Sequence, residues 1–375
     1  MAKEILIVTG KFPDISNDTD GGSILVNHLI YMLRHHFVID ILFTRSINEK
    51  YKKIDGIRNV FFHTKKVSCN DKFSRRLANT QWNKEEIERL SYKYDKTLII
   101  HCSKAFGIES FNPILLDKIV LFPMFLTSAY RRAGEYVPLE YYEAEKRVLT
   151  QIKTIITPSI IEKEDIIKDY SANEAKIKVI PRATNIFVNG KKRVKSLNNN
   201  IIYISSIKKQ KSPEDAILLV QLLKQKGINC HLHIVGSLQD NDIYNNCIKL
   251  IIKYSLQNQV SYHGVVSQQI LAKLLEQMDI NISVSRWETF GRGIVEGLVA
   301  GLPTVVLENI KCLRHFIDNN SGLLYAPNLD SMASIIKRLC IDTNYYRNQS
   351  ANALKLKDVF SIKNQEKLLL QILLT

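Results

Sequence analysis

No apolar run in this sequence approaches the ~18 residues a membrane-crossing helix needs, so nothing in it is expected to span a bilayer. The opening Met1-Ala-Lys-Glu-Ile-Leu-Ile-Val-Thr9 is too short and too charged for a secretory leader, and reads as a buried first strand. Close cysteine pairs are missing. Cys69, Cys102, Cys230, Cys247, Cys312 and Cys340 are scattered, which argues against a disulfide framework and for reduced, mostly buried thiols in a cytoplasmic protein. No group of His, Cys, Asp and Glu has metal-ligand spacing, so no metal is expected. Asp240-Asn-Asp242 sits in a polar loop before a helix, where an aspartate caps the N-terminus. No internal sequence repeat is evident.

Acidic residues are in deficit, with 37 Asp and Glu against 52 Lys and Arg, for a formal charge of +15. The basic residues are dense in the first half, at 45–53, Lys65-Lys66, Arg75-Arg76, Arg131-Arg132 and 191–195. A solvated basic surface and attraction to an anionic membrane or polyanionic acceptor both fit this distribution. Nucleic acid fits less well, because the clusters lack interleaved aromatics and any nucleic-acid module.

What the chain does have is length and alternation. Its 375 residues, 45% of them hydrophobic, suffice for two cores. Apolar runs alternate with amphipathic stretches, as in doubly wound parallel sheets. In the first half the pattern predicts strands over 5–8, 38–43, 60–63, 97–101, 119–122, 155–157 and 176–181, with helices that include 23–34, 83–94 and 139–150. Residues 187–200 lose periodicity and gain charge and asparagine, which marks a linker. The pattern then restarts, with strands over 201–204, 231–235, 260–262, 280–284, 304–307 and 322–325, and helices over 213–226, 242–254, 267–277, 294–300 and 331–339.

The most informative tract runs from Ser285 to Val306. Asp279-Ile-Asn-Ile-Ser-Val-Ser285 alternates as a strand, a turn holding Gly291 and Gly293 follows, and 294–300 reads as a short helix stopped by Gly301 with Pro303 beyond. Glu288 falls where the strand ends and Glu296 in the first turns of the helix. A strand-to-helix turn offers free N–H groups and a positive dipole end to a phosphate. Two flanking carboxylates suit the hydroxyls of attached sugars. This is the chemistry of a nucleotide-sugar site.

The tract resembles the Glu-x7-Glu element of family-four retaining glycosyltransferases (glycosyl transferases group 1), on Glu288-Thr289-Phe290-Gly291, Val295-Glu296-Gly297 and Gly301-Leu-Pro-Thr-Val-Val306. The resemblance covers nearly the whole chain, weakly before Ile201. It implies the GT-B architecture: two Rossmann-like domains facing a central cleft, an acceptor domain over 1–186, a linker over 187–200, a donor domain over 201–358, and a C-terminal helix within 359–375 returning to the first domain. It also implies a nucleotide-diphosphate sugar as co-substrate, no other cofactor, and transfer with retention to a glycan, lipid-linked or polymer acceptor. The surroundings would be the synthesis of cell-surface polysaccharide at the inner membrane face.

By the same resemblance Glu288 contacts the donor sugar, with Thr289, Phe290 and Gly291 beside it, and Glu296 the ribose. Lys211 takes the position of the lysine that clamps the diphosphate, while Ser206 falls where the family carries an arginine. Lys208, Lys209 and Arg292 are the candidate replacement cations, Arg292 foremost because it lies inside the glycine turn. Gly264 and Val265 would line the base pocket, and Gly21 and Gly22 form the glycine-rich element after the first strand. The histidine that relatives place after a central first-domain strand is missing, and Met124 or a neighbour stands there. Tyr130 and Arg131 are candidates for an acceptor wall, and His101 is a candidate by position alone. The departure at Ser206 keeps open a non-catalytic GT-B partner subunit as the alternative.

Overall fold

Short apolar runs bounded by polar turns become parallel strands here, because helices cover both sheet faces and leave no side for polar alternation. The structure, a computed structural model, describes residues 3–13, 21–47, 51–63, 69, 71–124, 126–132, 134–184, 198–317 and 320–375. The chain divides into two compact units. Among the described residues, the first holds 3–13, 21–181 and 365–375, and the second 182–184, 198–317 and 320–364. Most of the expected linker, along with the basic clusters at 65–66 and 191–195, lies outside the described residues.

The first unit is built on β1 (Glu4–Thr9), β2 (Val38–Phe43), β3 (Val60–Phe62), β4 (Lys96–Ile100), β5 (Ile119–Phe122), β6 (Thr154–Thr157) and β7 (Ile177–Val179). All pairings are parallel, in the order β3-β2-β1-β4-β5-β6-β7. Ile5, Leu6, Ile7 and Val8 have no exposed surface, as a central strand covered on both faces requires. The helix Ile362–Leu373 enters this unit at Gln365, where Glu366 meets His36 at 2.8 Å and Lys3 Nζ donates to Leu374 O.

The second unit repeats the plan with β8 (Asn200–Ile204), β9 (His231–Val235), β10 (Val260–Tyr262), β11 (Ile280–Ser283), β12 (Thr304–Leu307) and β13 (Leu323–Ala326), ordered β10-β9-β8-β11-β12-β13. On β8, Ile201 and Tyr203 join one apolar cluster with Leu219, Val220 and Met332, and Ile202 joins another with Val295 and Leu298. Strand order reverses between β1 and β4 in one unit and between β8 and β11 in the other. Such reversals open a crevice at the carboxyl ends of the strands, where ligands bind in this class of sheet.

Some expected details change. Gly21 and Gly22 are not a loop before the helix but its first turn, since the helix runs Gly21–Leu33; first-turn N–H groups need no helical partner, so glycine costs little there. The polar side of β11 does not meet water: Asn281, Ser283 and Ser285 are buried. Gly293 belongs to the helix Arg292–Val299 rather than to the turn before it. The helices Lys72–Ala78, Thr127–Arg132 and Thr343–Leu354 are not marked by the sequence pattern.

Candidate functional site

Parallel neighbours in the sheet bring together residues far apart in sequence. β8 runs out through Ser205 and Ser206 into a 3-10 turn, Lys209–Lys211, that precedes the helix Pro213–Gln225. β11, paired alongside with Ile201 opposite Ile280, runs out into the loop that carries Glu288. The two loops are stitched together by Arg286 N donating to Gln210 O at 2.9 Å and Gln210 Nε2 to Trp287 O at 3.0 Å. Lys211 Nζ therefore lies 2.5 Å from Glu288 Oε1, with the two side chains only 16% and 12% exposed.

Positioning groups surround this pair. Ser285 Oγ donates to Glu288 Oε1 at 2.8 Å, and Tyr203 OH donates to Lys211 O and lies 3.2 Å from Ser285 Oγ. Asn309 Nδ2 holds the loop through Arg286 O at 2.5 Å. Burial pushes the Tyr203 hydroxyl well above its ordinary pKa, so it stays a hydrogen-bond donor at neutral pH. Burial, with the Glu288 charge adding to it, likewise raises the Cys312 thiol, whose Sγ meets Phe290 O at 3.2 Å. That thiol is a loop anchor rather than a nucleophile.

The helix behind the loop starts where glycine permits. Gly291 sits at φ 75° as the N-cap, and no side chain caps that end. A Cβ on Gly293 would stand 2.3 Å from Ile204 O, and one on Gly297 would stand 2.2 Å from Asn281 Nδ2. The helix can thus lie directly on the ends of β8 and β11. Asn281 Nδ2 donates to Gly293 O at 3.1 Å and fixes the position. Glu296, 1% exposed, has Oε1 3.3 Å from Arg292 Nε. Burial raises its carboxyl above the usual range, against the pull of Arg292 and Gln268.

Other candidates share the same carboxyl edge. A Cβ on Gly236, after β9, would lie 2.2 Å from Ser205 O, and Gly236 N donates to Gly264 O at 2.8 Å. The loops bearing Ser206, Gly264 and Val265 are thereby drawn together, with Val265 51% exposed. Thr289 is half-buried, while Phe290 is buried and packs edge-on to Phe360. His263 is hydrogen-bonded to His233 at 2.9 Å. Asp240 caps the helix Asn241–Lys253, and among the described residues no three His, Cys, Asp or Glu gather to hold a metal.

In the first unit, Met124 follows β5 at φ 65°, and Tyr130 and Arg131 sit on the helix Thr127–Arg132. The Lys72 ammonium lies 4.5 Å from the Tyr130 ring centroid, and the Arg131 guanidinium 4.2 Å from that of Tyr142. His101 accepts from Ser103 N at 3.2 Å through Nδ1. Sequence reasoning missed Tyr203, Ser285, Asn281 and Cys312. For the first three the available signal was polar residues placed within an otherwise apolar strand and its immediate exit, whereas Cys312 lies in the loop beyond β12 and carried none.

Known proteins resemble this chain in sequence and in fold. Residues 188–356 match the profile of the family described as glycosyl transferases group 1. An uncharacterized 41.2 kDa protein of the cps region of Klebsiella pneumoniae is 24% identical over 274 residues, 70% of this chain and 74% of that one. Sucrose-phosphate synthase from Thermosynechococcus elongatus superposes with a TM-score of 0.81 at 15% identity, over 99% of this chain and 98% of its own. HepE of Anabaena, in complex with UDP and glucose, gives 0.75 at 15% identity over 99% of both chains. The fold is the GT-B fold of these glycosyltransferases. Among the described residues no helix is long and apolar enough to cross a membrane.

Proposed function

We propose, from the glycosyl transferases group 1 module that residues 188–356 form, that this protein transfers a sugar from a nucleotide-diphosphate donor to a glycan or lipid-linked acceptor. The transfer retains the anomeric configuration and needs no divalent metal. The observation that carries this reading is the Lys211–Glu288 pair at the β8–β11 reversal. It sets a cation for phosphate oxygens beside a carboxylate for sugar hydroxyls.

When the glycosidic bond to the diphosphate breaks, charge grows on the β-phosphate oxygen. Lys211 and the uncapped N-terminus of the helix Arg292–Val299 stabilise that charge, with Arg292 in support. Glu288, oriented by Ser285, accepts hydrogen bonds from the donor sugar. Glu296 accepts from the ribose, and Gly264 and Val265 flank the base. HepE's complex with UDP and glucose supports a nucleotide-sugar donor for this fold. Ser206, which replaces the usual arginine, favours a second reading, a non-catalytic partner that binds the donor without turning it over.

A thermal-shift panel of nucleotides and nucleotide sugars tests the binding step. A donor at a hundredfold excess over its dissociation constant stabilises by about 2.7 kcal/mol. One nucleotide sugar is expected to raise the melting temperature of the wild type and not that of Lys211→Ala. A panel without any shift, or a shift that Lys211→Ala leaves unaltered, contradicts the assignment.

A further inference from the structure

Three of the chain's nine histidines lie together on one face of the sheet edge formed by β9 and β10. Side chains alternate faces along a strand. Leu232 and Ile234 point into the apolar cluster against which Val260 and Tyr262 pack, so His231, His233, Ser261 and the following His263 share the opposite face. Pairing of the strands sets Ser261 beside His233. His263 comes next but one, its N–H donating to Ile234 O at 2.9 Å.

The ring centroids of His231 and His233 are 4.6 Å apart, and those of His233 and His263 are 5.2 Å apart with planes 16° from parallel. His231 Nε2 is engaged by Ser261 Oγ at 2.8 Å. His233 Nδ1 and His263 Nε2 face each other at 2.9 Å. The backbone that carries them is held, because Tyr262 OH donates to Gly236 O at 2.8 Å and Gly236 N to Gly264 O at 2.8 Å. His233 is half-buried and His263 exposed, so solvent reaches the pair. Partial burial and the neighbouring imidazoles lower His233 to about 4, and partial burial with His231 lowers His263, so both rings are neutral at pH 7. Among the described residues no lysine or arginine charge acts on either ring.

We propose that His233 Nδ1 and His263 Nε2 form a two-nitrogen clamp for a late first-row divalent cation, Ni²⁺ or Cu²⁺ before Zn²⁺. One proton lies between the facing nitrogens, and a cation can take its place. Metal–imidazole bonds of about 2.0–2.1 Å to nitrogens 2.9 Å apart meet near a right angle. That is the angle between neighbouring ligands in tetragonal coordination, which suits Cu²⁺ and Ni²⁺, whereas Zn²⁺ takes a tetrahedral one. Each ring keeps one proton, on His233 Nε2 and His263 Nδ1, so binding releases none, and water fills the remaining positions. Two protein ligands converge here, not three, so the clamp is weaker than a structural metal centre. It takes no part in the transfer reaction.

Calorimetric titration of the untagged, reduced full chain with Ni²⁺ tests the clamp, Cu²⁺ being avoided because it would oxidise the six thiols. His233→Ala and His263→Ala should each weaken Ni²⁺ binding at least about tenfold, or about 1.4 kcal/mol, while His231→Ala changes it by less than about threefold. Excess Ni²⁺ should raise the melting temperature of the wild type and not that of His263→Ala, since a cation bridging β9 to the segment after β10 binds only the folded chain. His263 is exposed, so His263→Ala keeps a folded variant in hand should His233→Ala not fold. Wild type without saturable Ni²⁺ binding, binding that either His233→Ala or His263→Ala leaves unaltered, or an equal loss in His231→Ala overturns the inference. None of these readouts needs sugar turnover, so failure of the glycosyltransferase reading would leave them interpretable.

Discussion

At the residue scale the chemistry proposed for the second unit rests on one close ion pair, that of Lys211 with Glu288. Glu288 and Lys211 could be located because each follows a strand that ends in turn-forming residues, and because their neighbours match a family element. Ser285 and Tyr203, which orient them, could not. A serine or tyrosine at alternate strand positions looks solvent-facing until a helix is known to cover it. Arg292 tests the replacement-cation idea. It lies 3.3 Å from Glu296, so Arg292→Ala both leaves a buried carboxyl without its cation and removes a positive charge from the helix start. The expected result is donor affinity lowered about tenfold or more by titration calorimetry. Unchanged affinity and turnover would remove Arg292 from the site. Lys104, at the end of the 3-10 turn Cys102–Lys104 after β4, gives a pH signature because burial disfavours its charged form. Its folded-state pKa, about 7, lies below the ordinary 10.5. The unfolded chain therefore binds more protons between these values, and stability rises with pH across that window. The penalty is complete below about pH 7, so Lys104→Gln should raise the urea midpoint more at pH 6 than at pH 10.

At the element scale the strands were legible because parallel strands covered on both faces leave nearly continuous apolar runs. The helices Lys72–Ala78 and Thr127–Arg132 were not, being too short to display a 3.6-residue period. Thr343–Leu354 was hidden by its polar composition. Gly293 was read as turn chemistry, whereas its role is steric: it lets the helix touch the β8 carbonyl at Ile204. Gly293→Ala forces a methyl against backbone that cannot yield. It is expected to cost about 1–3 kcal/mol in urea denaturation and to weaken donor binding by shifting the helix start. Gly21→Ala is the control, since a Cβ there meets nothing within 4 Å. It should change stability by less than about 0.5 kcal/mol. Equal effects from both substitutions would contradict the close-packing account.

At the scale of the whole molecule, alternation of strand and helix disclosed two parallel-sheet units, while the order of strands within each sheet is not written in any local pattern. The reversal point beside which Lys211 and Glu288 meet emerges only once that order is known. The charge of +15 acts at this scale too. If the basic surface meets an anionic membrane, the protein should sediment with vesicles containing phosphatidylserine, stay free with neutral vesicles, and be released by salt, as screening over about 10 Å at 0.1 M demands. Equal partition to both vesicle types would leave the basic residues as a solvated surface.

The central claim is that Glu288 and Lys211 together turn over a nucleotide sugar. It is tested most directly by the release of nucleoside diphosphate from a donor panel, with glycan and lipid-linked acceptors present, by wild type and by Glu288→Gln of equal melting temperature. The account predicts acceptor-dependent release from one donor by the wild type, reduced by about 10²–10³ in the variant. Undiminished release by Glu288→Gln would contradict it.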